Sequence, residues 1–250
     1  MEKTVLGIFS HPDDAEMMCA GTLSLLRKAG WKVHIATMAP GDKGTAEYSR
    51  EEISSIRRSE AAHSAEIIGA EYHCLEMEDV YILYDRESIN RTTGLIRSLK
   101  PSLVFTASPA DYMVDHEITS RIVLTACFAT GIKNMEVAEA PFEPVPYLYY
   151  CDPMEGKDIL GRPVTPAMYV DITGEIEVKE KMLACHASQR NWLLTHHKID
   201  EYILAMKRFS KSRGSESGTG YAEGFRQHLG HGFPQDNILK DAIGKLVIIK

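Results

Sequence analysis

The segment Ser10-His11-Pro12-Asp13-Asp14-Ala15-Glu16 concentrates one imidazole and three carboxylates in a few residues of chain. Such a group attracts a cation rather than a phosphate. A nucleotide-binding loop would carry glycines here, so that backbone N–H groups could approach the phosphates. Pro12 stiffens the turn and restricts its neighbour, so His11 and Asp14 can converge on one metal while Asp13, between them, points elsewhere. Two ligands do not complete a catalytic zinc site, which uses three protein groups and keeps one position open for water. The loop Asp111-Tyr112-Met113-Val114-Asp115-His116 offers a third in His116. Two histidines and an aspartate suit zinc, and Fe(II) or Mn(II) can occupy a similar set. The competing structural reading is that Asp13 and Asp14 only cap the next helix, where carboxylates meet the positive end of its dipole. His116 taken alone reads as a histidine at a helix start.

These two loops need elements that bring them together. Thr4 to Phe9 is rich in β-formers and reads as a buried strand ending at Ser10. A helix is expected over Asp14 to Ala29, with Gly30 at its C-cap. Further strands are expected at Lys32 to Met38, Glu71 to Leu75 and Leu103 to Ala107. Helices alternate with them at Ser49 to Gly69, Ser88 to Leu99 and from about His116 to Thr130, the first opened by a Ser49/Glu52 capping box. This alternation implies an α/β fold, a Rossmann-like, doubly wound and mostly parallel sheet with helices on both faces. Ligands of such sheets bind outside the carboxyl ends of the strands, where both loops fall.

The second half is punctuated by proline from Pro141 to Pro166, leaving room for short strands at Tyr147 to Cys151 and Met168 to Ile172. Helices are expected at Glu175 to Ser188 and Lys198 to Arg213, and a flexible loop at Gly214 to Gly220. No linker separates independent domains, so residues 1–250 are expected to form one domain. Its Rossmann-like core would cover 1–130, and substrate-site and C-terminal helical and short-strand elements would cover 131–250. The Gly131 to Pro166 stretch is expected to shape the pocket or an oligomer interface, and the assembly to be a homo-oligomer.

Across 250 residues the charge is −7, with 44% hydrophobic and 25% charged residues, an ordinary globular composition. Mild acidity argues against a nucleic-acid binder, which needs a basic face. No apolar run approaches the ~18 residues of a membrane span, and the N-terminus turns acidic before a signal sequence could form. Five scattered cysteines without a CxxC pair read as reduced thiols in a cytoplasmic protein.

With these motifs in hand, the chain resembles the LmbE-like, or PIG-L-type, zinc-dependent de-N-acetylases, whose signature is a strand ending in HPDD(x)E and a later HPDH-like motif. Thr37 to Gly44 (TMAPGDKG) is similar to the family's T-x-G-x-x-G loop. Arg57-Arg58-Ser59-Glu60 is similar to its R-x-x-E helix, Lys181 to Gln189 to its K…H-x-S-Q helix, and Ala222 to Phe225 to its A-E-x-F stretch. The resemblance implies zinc held by His11, Asp14 and His116, with Asp13 as general base toward a water whose pKa the metal lowers to about 7. It also selects Arg57 for a substrate or oxyanion contact; the structural alternative is a solvated arginine paired with Glu60 at i+3. Gly41, Asp42 and Tyr112 lie in loops expected to rim the site and contact substrate.

One residue departs from the pattern. Met113 stands where the family has the first histidine of HPDH, credited with protonating the leaving amine, and a thioether has no titratable proton. Either Asp13 shuttles its proton or another group substitutes, with His186, His228 and His231 as candidates. Asp115 is counted with the catalytic residues, as a carboxylate supporting His116 or the substrate. The expected activity is zinc-dependent removal of an acetyl or similar small acyl group from an amino-sugar conjugate. Hydrolysis of a non-sugar amide, metal binding without catalysis, and a two-metal phosphoesterase are the alternatives.

Overall fold

The computed structural model describes residues 3–190 and 201–250. One eight-stranded sheet organises them, in the order β3-β2-β1-β4-β5-β7-β6-β8. The strands are β1 Thr4–Phe9, β2 Lys32–Thr37, β3 Glu71–Cys74, β4 Leu103–Thr106, β5 Tyr147–Cys151, β6 Met168–Asp171, β7 Ala222–Gln227 and β8 Val247–Ile249. From β3 to β5 every pairing is parallel, and from β5 to β8 every pairing is antiparallel. All six residues of β1 are buried, as a central strand covered on both faces requires. The strand order reverses between β1 and β4, and the crevice at their carboxyl ends is the switch point where such sheets bind ligands.

The helices are α1 Asp14–Met18, α2 Ala20–Lys28, α3 Arg50–Ile67, α4 Arg86–Leu99, α5 Val114–Phe128, α6 Ile176–Ala184, α7 Glu201–Ser217 and α8 Ile238–Ile243. Alternation along the strands divides the core into two layers. Val5, Phe9, Val33 and Ile35 face Leu23, Met182 and Met206 of α2, α6 and α7. Leu6, Ile8 and Ala36 face Ile96, Ile122 and Val123 of α4 and α5. Among the described residues no helix is long and apolar enough to cross a membrane.

The structure differs from the sequence expectation at several boundaries. The helix expected over Asp14 to Ala29 is two helices, broken at Cys19, whose φ is −146°. The fifth helix begins at Val114, two residues before His116, so His116 lies within its first turn. Gly214 does not end α7, which runs on to Ser217. A Cβ at 214 would lie 2.6 Å from the Gly220 carbonyl oxygen, so this glycine serves a close backbone approach rather than a break. Residues 198–200 of the helix expected there lie outside the described residues. The strands β7 and β8 and helix α8 carry no period that the sequence reading used. Glu223 of β7 accepts from Gly21 N, Thr22 N and Thr22 Oγ1 at the start of α2, and from the buried Lys179 at 2.6 Å. The A-E-x-F stretch is therefore a structural tie between the last third of the chain and the first.

Candidate active site

Backbone geometry separates the two adjacent aspartates. Asp13 has φ 102° and ψ −22°, a conformation rare for a residue with a side chain and often found at functional sites. Asp14 turns back into its own loop, where its Oδ2 accepts from Ser10 N at 3.1 Å and His11 N at 2.9 Å. Asp13 stands at the N-cap position and Asp14 in the first turn of α1, but neither carboxylate makes a capping hydrogen bond to the helix. Ser10 Oγ and Thr119 Oγ1, 2.8 Å apart, tie the loop to α5.

The crevice gathers His11, Asp14 and His116, all buried, with one potential ligand atom from each lying within 4.8 Å of the others. His11 Nδ1 is 3.6 Å from Asp14 Oδ2, and His116 Nε2 is 3.3 Å from Asp14 Oδ1. Each ring turns its other nitrogen to a second carboxylate. His116 Nδ1 lies 3.0 Å from Asp111 Oδ1, and His11 Nε2 lies 3.1 Å from Asp115 Oδ2. That is how metal-ligating histidines are oriented and made more basic. The sequence reading is corrected in one pairing: Asp111 supports His116, whereas Asp115 supports His11 and also accepts from Val80 N at 2.8 Å.

Electrostatics shows what this cluster lacks. Burial by itself would make both imidazoles harder to protonate. The bonds of His11 to Asp115 and Asp14 outweigh burial and push its pKa up to about 9, and Asp14 and Asp111 raise His116 well above the usual imidazole value. Asp14, despite its burial, is held well below the carboxylate range by His116 and His11. Without a metal the cluster fills its need for positive charge with protons. The donor set and its charge thus fit a divalent cation held by His11, Asp14 and His116.

Asp13 stands beside this cluster. Tyr202 Oη donates to Asp13 Oδ2 at 2.5 Å, and Arg57 Nη2 lies 3.6 Å from the same oxygen while donating to Pro12 O at 3.1 Å. Burial raises the Asp13 pKa against the opposing pull of Arg57. Arg57 is itself buried and does not pair with Glu60, which instead accepts from Ser188 N and Oγ at 2.8 and 2.7 Å. The R-x-x-E and H-x-S-Q stretches therefore meet at Glu60 and Ser188, leaving Arg57 for the site.

The lining of a pocket of about 520 Å³ includes His11, Asp13, Asp14, Arg57, Tyr112 and His116. Gly41 and Asp42 stand behind its wall. A Cβ on Gly41, at φ +80°, would lie 2.6 Å from Arg57, so this glycine makes room for the guanidinium. Asp42 Oδ1 accepts from Asp79 N at 2.8 Å, and its other oxygen lies 2.6 Å from Arg50 Nε. Neither residue lines the pocket as the expected substrate contact; their neighbours Lys43 and Gly44 do. Tyr112 is half-exposed at the rim and meets the His116 ring edge-on at 5.5 Å.

Met113 also lines the pocket, and none of the three candidate histidines does. His186 is buried with Nε2 3.3 Å from Glu16 Oε1, His228 bonds the Tyr150 hydroxyl at 3.1 Å, and His231 is exposed. Among the described residues, Asp79 and Tyr202 belong to the site without having been singled out by the sequence reading. Asp79, buried in the loop after β3, has no partner for Oδ1 among the described residues and lines the pocket, and burial raises its pKa. Its position at another strand end was the available signal. Tyr202 had none, because its contact spans 189 residues of chain.

Residues 6–127 match the family model described as PIG-L, GlcNAc-PI de-N-acetylase. The chain is 28% identical over 216 residues to a probable N-acetyl-alpha-D-glucosaminyl L-malate deacetylase 2 of Bacillus cereus, covering 80% of this chain and 90% of that one. It is 23% identical over 198 residues to a 4-oxalmesaconate hydratase of Pseudomonas putida, covering 76% and 75%. The solved N,N'-diacetylchitobiose deacetylase of Pyrococcus horikoshii superimposes with a TM-score of 0.77 at 25% identity, over 90% of this chain and 84% of that one.

Proposed function

Since residues 6–127 match the PIG-L, GlcNAc-PI de-N-acetylase, family model, we propose that the chain is a metal-dependent hydrolase of that family, removing an acetyl or similar small acyl group from an N-acetylated amino-sugar conjugate. The observation that carries this reading is Asp13, a partly buried carboxylate lining the pocket beside the His11, Asp14 and His116 cluster but not part of it. A site for binding alone has no need of it. An ion held by those three residues, zinc above all, would supply a Lewis acid for the acyl carbonyl and make water more acidic.

Asp13 takes the proton of the attacking water. Its raised pKa suits a base working near neutrality, and Tyr202 and Arg57 fix its direction. Met113 has no proton to give, so the carboxyl of Asp13, now protonated, returns the proton to the departing amine. Arg57, buried at 3.6 Å from Asp13, brings fixed positive charge to where the carbonyl oxygen becomes anionic. Asp79 Oδ1, unpartnered among the described residues, accepts from a hydroxyl of the substrate, which an amino sugar provides.

The likeness to a hydratase favours a second reading, since hydration also begins with activated water. The pocket's charges oppose it. Among the described lining residues, Lys43 and Arg57 already face carboxylates, Lys43 with Glu78 and Asp42 and Arg57 with Asp13. Asp79 adds an acceptor, not a cation, for a carboxylated substrate such as an oxalmesaconate. Acetate release from a panel of N-acetylglucosamine conjugates, beside hydration of oxalmesaconate, tests the choice. Acetate release abolished by chelation is the expected result; hydration without acetate release overturns the proposal.

A further inference from the structure

A second group of two histidines and a carboxylate lies away from the pocket, at the β3 edge of the sheet. The register pairs His34 of β2 with Glu71 of β3, and Ala36 with His73. Side chains alternate along a strand, so His34, Glu71 and His73 share one face. Glu71 and His73 are two apart on their strand, and His34 reaches both from the neighbouring one. His34 Nδ1 is 3.0 Å from His73 Nε2 and 3.7 Å from Glu71 Oε2, and one ligand atom from each lies within 4.8 Å of the others. Tetrahedral zinc, with bonds of about 2.0–2.1 Å, holds its ligand atoms roughly 3.3–3.4 Å apart, a spacing that the two measured distances bracket.

We propose that His34, Glu71 and His73 form a second metal site, taking a divalent transition-metal ion of the zinc, nickel or copper class and clamping the edge strand β3 to β2. Two imidazoles and one carboxylate suit those ions better than magnesium or calcium, which take oxygen ligands. Two facing ring nitrogens at 3.0 Å already share one hydrogen; a metal takes the lone pairs of both. Burial holds His34 down to about 4 and keeps His73 below the usual imidazole range, which favours the neutral rings whose lone pairs a metal takes. Glu71 is exposed and His34 buried, which leaves an entry from solvent on the carboxylate side. Lys32 Nζ, 3.4 Å from Glu71 Oε1, is the cation that the metal would displace there. Its own side chain is half-exposed, so it can move into water.

This site does not depend on the proposed reaction, and stoichiometry tests it on the full chain. Metal-depleted protein is titrated with zinc against a chromophoric chelator, for the unaltered chain, Asp14→Asn, His73→Gln and Glu71→Gln. The unaltered chain should bind two zinc ions, and Asp14→Asn should retain the edge ion. His73→Gln should lose one ion while acetate release is unchanged. Glu71→Gln, an exposed change that spares the packing, should weaken the second equivalent by more than the roughly 10–100-fold cost of losing a mere supporting partner. A metal complement that neither His73→Gln nor Glu71→Gln lowers or weakens overturns the proposal, whatever the pocket binds. If Asp14→Asn fails to fold, His73→Gln and Glu71→Gln decide alone.

Discussion

Two clusters of the same composition, two imidazoles and one carboxylate, sit in one sheet with opposite surroundings. At the β1 and β4 ends, Asp111 and Asp115 stand behind the rings and raise both imidazoles, His11 to about 9. At the β2–β3 edge the described contacts place no second carboxylate behind either ring, and burial lowers both, His34 to about 4. The first cluster opens on a pocket with Asp13 beside it; the second opens on solvent past an exposed glutamate. The ligand types alone therefore do not define chemistry. Under the proposed reading, carboxylates behind the ligands, Asp13 beside them and a cavity in front make the difference between holding an ion and using it.

Removing a ligand from each cluster should break the comparison most severely. His116→Ala is expected to lose the pocket ion and all measurable hydrolysis while circular dichroism reports an intact fold; unchanged metal content there would refute its role. Tyr202→Phe sharpens the contrast inside the pocket. It deletes one hydrogen bond to a charged base, worth about 1.5–3 kcal/mol, so kcat should fall roughly 10–100-fold with KM and bound metal unchanged. An altered metal content would show that Tyr202 supports the ligands instead.

Proton uptake separates the clusters more gently. In the metal-free protein His11 stays protonated up to about pH 9, so metal binding in the pocket must release protons and should tighten as pH rises from neutrality toward 9. Burial favours the neutral form of both edge rings, so binding there should come with little net proton release. Calorimetry in buffers of different ionisation enthalpy, on His73→Gln and on Asp14→Asn, measures each separately. The smallest expected effect concerns stability. A histidine whose folded pKa is depressed contributes stability present above about pH 6.5 and lost as pH falls toward its folded value. For His34 that window runs down to about 4. Metal-free His34→Gln should lose less stability than the unaltered chain when urea unfolding is compared at pH 7 and pH 5.

The legible parts of the molecule were those set by local spacing. The Ser49/Glu52 capping box forms as the sequence implies, and the alternating core strands and their parallel order follow from period and length. His11, Asp14 and His116 were legible because metal chemistry needs those residue types, and strand ends are where an α/β sheet can gather them. Contacts set by tertiary placement were not. Tyr202 reaches Asp13 from a helix with no motif, and the partner of each histidine ring depends on how α5 turns Asp111 and Asp115. The edge cluster stayed hidden because Glu71-Tyr72-His73 shows its i, i+2 spacing only to a reader who knows that His34 lies opposite.

The central claim is that Asp13 works on the reaction and not on the metal, and Asp13→Asn measures it most directly. The variant keeps the size of the side chain and an acceptor for Tyr202 but removes the basic oxygen. Metal content and acetate release should be measured on the same preparation. The account expects the metal complement of the unaltered chain, with hydrolysis lower by about 10²–10⁴-fold. Loss of the pocket metal, or hydrolysis at the unaltered rate, would contradict it.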